Sequence, residues 1–171
     1  AASDVYKRQD QLCSNGKVTH PLGGDRFELL DIDTPTKKVV RYELDTDTGE
    51  LTDATVSLDL NEDLAFPDGM IEVPGKHAVI IAMFNPESAE MGHAKQFCLN
   101  TGELEHVWEI PGSPQVTCPQ LLRIGGEVKL VLTTAAENMS EEKMAEHPNA
   151  GCLFVGEIDV DELGKQPRWE L

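Results

Sequence analysis

The sequence has few basic residues, no closely spaced cysteine pair and no long apolar run. Lys and Arg together number 14 against 31 Asp and Glu, which makes the formal net charge −17. A nucleic-acid surface needs clustered Lys and Arg, so this balance argues against nucleic acid as a partner. A membrane partner is not expected either, because no apolar stretch approaches the roughly 20 residues of a transmembrane helix. The chain is nevertheless 40% hydrophobic over 171 residues, which is enough for the core of one domain.

The four cysteines, Cys13, Cys98, Cys118 and Cys152, stand far apart and form no C-x-x-C pair. This spacing disfavours a zinc ribbon and a redox-active dithiol. Each cysteine has apolar or small neighbours, so we expect buried, reduced thiols. The spacing alone leaves a disulfide open.

The five histidines show no H-E-x-x-H motif and no other tight ligand spacing. We therefore expect them at surface or turn positions rather than in a metal site. They are His20, His77, His93, His106 and His147.

Short β-rich runs separated by turn residues dominate the chain, which predicts an all-β fold. Only residues 139–148 have a helical pattern, with Ser140 as a suitable N-cap and His147–Pro148 as the end. The predicted strands cover residues 26–33, 37–45, 77–85, 94–100, 105–110, 128–135 and 152–160.

Internal repetition narrows the fold further. The "TGEL" segments align at Gly49 and Gly102, an offset of 53 residues, and "SNG" and "PDG" align at Gly16 and Gly69 with the same offset. A period near 50 residues that holds four short strands is typical of a β-propeller blade.

The second repeat can be divided into the four strands of one blade. "DGMIEV" (68–73) would be the inner strand, 77–84 and 94–100 the next two, and 103–110 the outer one. By this count the chain holds about three blades, whereas propellers typically close with about 4–8 blades. We therefore expect a partial propeller with unpaired sheet edges.

The first residues are consistent with an incomplete chain. The segment "DVYKRQ" (4–9) is identified as the reading-frame translation of a common transposon sequencing adapter. Residues 1–9 are accordingly interpreted as a cloning scar, and residues 10–171 as the partial propeller domain. The protein would then begin upstream of this chain.

Two loops are candidates for a metal site. "SNG" and "PDG" hold equivalent places in successive blades, so Asn15 and Asp68 should both face the propeller axis. An amide oxygen and a carboxylate that converge suit Ca²⁺, Mg²⁺ or Mn²⁺, and Zn²⁺ also accepts carboxylate oxygen. The alternative is ordinary turn chemistry, because Asn-Gly and Pro-Asp-Gly are frequent in tight turns.

Seven segments taken in order resemble the C-terminal half of the senescence marker protein (regucalcin) and gluconolactonase family of sugar-lactone lactonases. No single segment is specific, but their order and spacing are. They are "SNG" (14–16), "DIDTPTKKVVRYELDTDTGEL" (31–51), "FPDGMIEV" (66–73), "AMFN" (82–85), "VTCPQL" (116–121), "LVLTTA" (130–135) and "HPNAGCLF" (147–154).

The resemblance implies a six-bladed propeller with one divalent metal ion at its axis. Carried over, Asn15 and Asp68 are metal ligands and Asp68 is the catalytic proton acceptor. Asn85 and Thr117 are further candidates for the substrate pocket. The alternative for Asn85 is an ordinary asparagine at a strand end, and for Thr117 core packing or backbone pairing at the start of the third inner strand is the favoured interpretation. The remaining glutamate ligand, and the side chains that grip the sugar, would lie in the missing N-terminal half.

The implied activity is hydrolysis of sugar lactones by metal-activated water, with a small-molecule lactone as the partner. The chain alone is expected to be inactive, because half of the site is absent. Two alternatives stay open: a non-catalytic calcium-binding or scaffold propeller, and a hydrolase of aryl or phosphate esters.

Overall fold

The structure, a computed structural model, describes residues 11–164. Within them the chain forms eleven β-strands, one 3-10 turn (Thr34–Thr36) and one short α-helix, so the all-β class is confirmed. No helix in this range is long and apolar enough to cross a membrane. The strands are β1 (Ser14–Gly23), β2 (Arg26–Asp33), β3 (Lys38–Asp45), β4 (Thr55–Asp59), β5 (Phe66–Glu72), β6 (Ala78–Phe84), β7 (Met91–Cys98), β8 (Leu104–Pro111), β9 (Val116–Ile124), β10 (Glu127–Thr134) and β11 (Leu153–Glu157), and the helix is α1 (Glu141–Glu146).

The strands form three antiparallel sheets, and in each sheet strands that follow one another in sequence are paired. The first sheet contains β1–β4, the second β5–β8 and the third β9–β11. The second sheet has the strand order that the sequence predicted for one blade. The third sheet has three strands within the described residues, and none of the three sheets closes on itself there.

The helix was also predicted correctly. The side chain of Ser140 accepts a hydrogen bond from the backbone N–H of Lys143, and the helix ends before His147. Sequence reasoning missed β1 and β4: β1 begins with the Ser-Asn-Gly segment, which was interpreted as a loop, and β4 is only five residues long.

The second sheet is buried on both faces, and β6 shows this most clearly. Alternate residues of β6 belong to two different core clusters, because successive side chains of a strand point to opposite faces. Val79, Ile81 and Met83 pack with the first sheet, whereas Ile80 and Ala82 pack with the third. Neighbouring sheets are therefore stacked face to face in chain order.

Asn15–Gly16 and Asp68–Gly69 are not tight turns, so that alternative is wrong. Each pair lies inside a strand at a break in register: in β1 between Ser14 and Lys17, and in β5 between Pro67 and Met70. Neither glycine has a positive φ. A β-bulge of this kind inserts an unpaired residue and bends the strand.

The two bulge glycines allow the inner strands to approach each other closely. A Cβ on Gly16 would lie 2.7 Å from the carbonyl oxygen of Asp68, and a Cβ on Gly69 would lie 2.6 Å from that of Thr117. Real Cβ atoms do not come this close to backbone atoms. Glycine is needed here for space rather than for a turn.

Gly69→Ala is therefore expected to lower the free energy of unfolding by about 1–3 kcal/mol, since inserting a methyl group into a packed region forces the backbone to shift. Gly156→Ala is the matched control, because a Cβ on that strand glycine would meet only side-chain atoms of Trp108, at 3.3 and 3.7 Å. Urea unfolding of both variants measures the difference. Equal stability of the two would show that the inner strands are not packed this tightly.

Two expectations about individual residue types are wrong. Cys13, Cys118 and Cys152 are exposed and Cys98 is half-buried, although all four cysteines are free. Among the histidines, two are buried, at 8% and 5% exposure. These are His20 and His147.

Candidate functional site

Asn15 and Asp68 are in direct contact. The Nδ2 group of Asn15 donates a hydrogen bond to Oδ1 of Asp68 at 2.5 Å and another to Oγ1 of Thr34 at 3.2 Å. The Thr34 hydroxyl in turn donates to the carbonyl oxygen of Pro67 at 2.8 Å. Residues 53 positions apart in sequence are thus joined at one end of the first two inner strands.

A third bulge occurs at the equivalent place in the third sheet. Val116 pairs with Thr134 and Cys118 pairs with Thr133, so Thr117 between them is left without a partner in the ladder. Each of three successive inner strands therefore carries a bulge. These bulges contain Asn15, Asp68 and Thr117, respectively.

Burial raises the pKa of the Asp68 carboxyl above its usual range. The hydrogen bond from Asn15 acts in the opposite direction, and the negative charge of Glu137 raises the pKa further. A half-buried carboxyl with a raised pKa is suited to accept a proton.

Glu137 is a residue that sequence reasoning missed, because the loop "AAEN" (135–138) matches no motif. The buried side chain of Gln115 holds the backbone of Glu137 through two hydrogen bonds. Gln115 accepts from the Glu137 backbone N–H at 2.7 Å and donates to the Glu137 carbonyl at 2.9 Å. This carboxylate adds a second negative charge near Asp68.

Other carboxylates fix the chain just before Asn15. The Ser14 hydroxyl contacts both carboxylate oxygens of Asp31, at 3.0 and 2.8 Å. Asp33 accepts a hydrogen bond from the backbone N–H of Cys13 at 2.9 Å. Burial raises the pKa of Asp31, and the Ser14 hydrogen bond partly offsets this. The position of Asn15 is thus held by the strand beside it.

The two predicted pocket residues are not hydrogen-bonded to Asp68. The Asn85 side chain accepts from the backbone N–H of Glu87 at 3.0 Å, and it lines a surface cavity of about 480 Å³. The Thr117 hydroxyl bonds with that of Thr133 at 2.6 Å. The carbonyl oxygen of Thr117 lies close to the Asp68–Gly69 bulge, 2.6 Å from the place that a Cβ on Gly69 would take.

The donor atoms fit part of a hard-cation site. The Asn15 amide and the Asp68 carboxylate offer oxygen ligands, they touch each other, and both side chains are half-buried. Ca²⁺ takes about 6–8 oxygen ligands, so two residues would supply only a fraction of its coordination shell. The oxygen ligands are therefore of the type that such an ion binds, but these two residues supply too few of them.

A second cluster of metal-ligand type lies elsewhere on the same sheets. His20, Glu28 and His77 each offer a ligand atom, and these atoms all lie within 4.8 Å of one another. His20 is five residues beyond Asn15 on β1, which places it roughly 16 Å further along the strand. This cluster was missed because its members lie on β1, on β2 and in the turn between β5 and β6.

Glu28 is the buried centre of this cluster, with 2% of its side chain exposed. One carboxylate oxygen contacts Nε of Arg41 at 2.7 Å, and the other contacts Nε2 of His77 at 2.9 Å. The hydrogen bond to Glu28 raises the pKa of His77, and a bond to Asn100 adds to the effect.

Comparison with solved structures identifies the fold. A calcium-binding protein, regucalcin, from Agrobacterium tumefaciens matches 95% of this chain with a TM-score of 0.73 at 24% identity. A luciferin-regenerating enzyme matches 91% of the chain with a TM-score of 0.69 at 18% identity. The three stacked sheets therefore have the all-β fold of these two proteins.

The family follows from the sequence match. The sequence model of the protein family described as the SMP-30/Gluconolactonase/LRE-like region matches residues 3–136. The chain belongs to this family. The putative sugar lactone lactonase YvrE of Bacillus subtilis is 30% identical over 145 residues, which is 84% of this chain. The chain spans about half the length of these relatives: 46% of YvrE, 51% of regucalcin and 48% of the luciferin-regenerating enzyme.

Proposed function

We propose that the complete protein is a divalent-metal-dependent hydrolase of sugar lactones. The observation that carries this proposal is the contact between Asn15 and Asp68 at two equivalent bulges, in a chain of the gluconolactonase family. A relative named as a putative sugar lactone lactonase supports the substrate class.

Asp68 is proposed as both a ligand and the general base. A bound divalent ion would polarise the lactone carbonyl and lower the pKa of attached water. Asp68 would accept the proton of that water as it attacks the carbonyl carbon. Asn15 would hold the carboxylate in place through the hydrogen bond described above, with Thr34 holding Asn15 from the other side.

We assign the metal to the class of hard cations. Oxygen donors favour Ca²⁺, Mg²⁺ or Mn²⁺, and a carboxylate also suits Zn²⁺. Ca²⁺ is the first candidate, because the structural relative regucalcin is described as calcium-binding. Thr117 and Asn85 are proposed to border the substrate pocket at the same end of the sheets.

Residues 10–171 are proposed to be about half of a six-bladed propeller, with the remaining half upstream. Within residues 11–164 one face of the third sheet is uncovered, and this supports the proposal because its apolar side chains would need a covering blade. Pairing of Val131 with Val155 and of Lys129 with Leu122 places these side chains on one face. Leu153 is 69% exposed and Val155 60%. The proposed scar, residues 1–9, lies outside the described residues.

The function is tested by a proton-release assay on gluconolactone with the completed protein, meaning the chain extended by its proposed upstream half. We expect turnover that a chelator abolishes and that an added divalent ion restores. Turnover that continues unchanged in excess chelator would refute the metal-dependent mechanism.

A calcium-binding protein without catalysis is the second candidate, favoured by the description of the regucalcin relative. Calorimetry on the completed protein separates the two. Calcium binding without turnover of gluconolactone or of aryl and phosphate esters would support this candidate, whereas turnover of one of the esters alone would reassign the substrate.

A further inference from the structure

The cluster of His20, Glu28 and His77 differs in chemistry from the Asn15–Asp68 pair. We propose that it is a separate site for a transition-metal cation of the Zn²⁺ type. The ligands would be one ring nitrogen from each histidine and one oxygen of Glu28. This proposal does not depend on the proposed lactonase activity.

The donor set selects the class of metal. Two imidazole nitrogens and one carboxylate oxygen are ligands that Zn²⁺ prefers, often with water at a fourth position. Ca²⁺ and Mg²⁺ prefer oxygen donors only. The two clusters on these sheets would thus differ in the cation that they select.

Both histidines are already held as metal ligands usually are. Nδ1 of His77 lies 2.9 Å from Oδ1 of Asn100, and Nδ1 of His20 lies 3.1 Å from Oε1 of Glu72. A ligating histidine typically donates its other ring N–H to an oxygen acceptor, which fixes the tautomer and the ring orientation. Here this leaves Nε2 of His20 without a partner, whereas Nε2 of His77 is hydrogen-bonded to Glu28, and a bound ion would replace the proton between these two groups.

The Nε2 atom of His20 is the strongest single observation. It is buried and has no hydrogen-bond partner, in a residue that is only 8% exposed. A buried polar atom without a partner costs free energy, and native proteins rarely leave one unexplained. A metal ion bound to this nitrogen would satisfy it.

Each oxygen of Glu28 has one partner, and the partner of the second oxygen is itself a proposed ligand of the ion. Arg41 holds Oε1, and Oε2 faces His77. Ligating carboxylates are themselves commonly hydrogen-bonded. The cation would meet two negative charges, from Glu28 and Glu72, against the single positive charge of Arg41.

Only a modest adjustment is needed to close the site. Ligands about 2.0–2.2 Å from a tetrahedral zinc ion stand roughly 3.3–3.6 Å from one another. The ligand atoms now lie within 4.8 Å of one another, so the longest separation must shrink by up to about 1.2–1.5 Å. His77 lies in a turn with 36% of its side chain exposed, so it offers both the required freedom and a path for the ion. A bound ion would link the first sheet to the second.

The test is a Zn²⁺ titration of the untagged 171-residue chain against a chromophoric competitor. Excess Ca²⁺ is present to occupy hard-oxygen sites, and the exposed thiols are alkylated beforehand. We expect one Zn²⁺ per chain and a rise in melting temperature on binding. Co²⁺ should give a visible spectrum of nitrogen and oxygen ligation without a thiolate band.

Three variants locate the site. His77→Gln should weaken Zn²⁺ binding at least about a hundredfold, and Asn100→Ala should weaken it about tenfold through loss of ring orientation. Both positions are exposed, so folding should be retained, as the melting temperature in chelator would verify. His106→Gln is the control, because this exposed histidine on β8 contacts Trp108 and lies outside the cluster.

Absence of stoichiometric binding to the parent chain would overturn the proposal. Unchanged affinity in the His77→Gln variant would also overturn it, because the ion would then be bound elsewhere. A loss of affinity in the His106→Gln variant equal to that of the His77→Gln variant would count against it in the same way.

Discussion

Replacing Asp68 by Ala in the completed protein is expected to lower kcat/KM for gluconolactone by about 10³-fold or more. A positioned general base typically contributes about 10²–10⁴-fold, and the same change removes a proposed metal ligand. The proton-release assay measures the loss.

Two further variants show whether the loss is specific. Asp53→Ala removes a different, exposed carboxylate and should leave activity unchanged. Asp68→Asn preserves the size of the side chain and should lose activity to a similar degree. Activity in the Asp68→Ala variant within about tenfold of the parent would refute the proposed role, since so small a change lies below the range for a general base.

The raised pKa of Asp68 predicts that the loss of activity in the Asp68 variants is not caused by unfolding. Burial raises the pKa of the folded carboxyl above its unfolded value, so the folded chain binds this proton more tightly than the unfolded chain. Stability then falls as pH rises through that interval, and the ionised group destabilises the metal-free fold at neutral pH. Asp68→Asn should therefore be at least as stable as the parent in chelator at neutral pH. The gain in the free energy of unfolding over the parent should shrink as pH falls toward the ordinary Asp pKa of about 3.9, and urea unfolding at several pH values would measure it.

The 171-residue chain alone is expected to show no lactonase turnover and to bind Ca²⁺ with a dissociation constant of about 1 mM or weaker. Two oxygen-bearing side chains cannot fill a coordination shell of about 6–8 oxygens, and weak calcium modules already lie near this limit. Calorimetry and the proton-release assay on the isolated chain measure both quantities.

The completed protein provides the comparison for this prediction. Extension upstream should restore turnover and tighten calcium binding, and it should reduce the exposure of Leu153 and Val155 on the third sheet. A dye that binds exposed apolar surface would follow that change. Tight, stoichiometric Ca²⁺ binding by the isolated chain would contradict the proposal that half of the site is missing.

Local sequence patterns were a reliable guide to the second sheet and to the helix. Each predicted strand of that sheet combined β-branched or aromatic residues with a turn signal at each end, so the local preference and the final fold agree. The helix carried its own N-cap at Ser140 and its own stop at Pro148. Strand β1 begins with the Ser-Asn-Gly segment and β4 has only five residues, so the local signal was weak, although Val18 and Leu58 of these strands pack in the core.

The repeat of 53 residues relates Asn15 to Asp68, but it could not show why glycine follows each of them. A dipeptide such as Asp-Gly is compatible with a turn, a bulge or a close backbone contact. Only the packed structure distinguishes these, because the atoms that crowd Gly16 and Gly69 belong to the next inner strand. The turn interpretation failed for that reason.

By itself, the sequence determined the all-β class, the family and the pairing of two hard-ligand side chains across one repeat. These depend on residue types and spacing along the chain, which are local properties. The tertiary structure alone decided that the charge of Glu137 acts on Asp68 and that His20, Glu28 and His77 meet. Contacts of this kind depend on sheet register and on the stacking of neighbouring sheets, and spacing along the chain does not encode either of them.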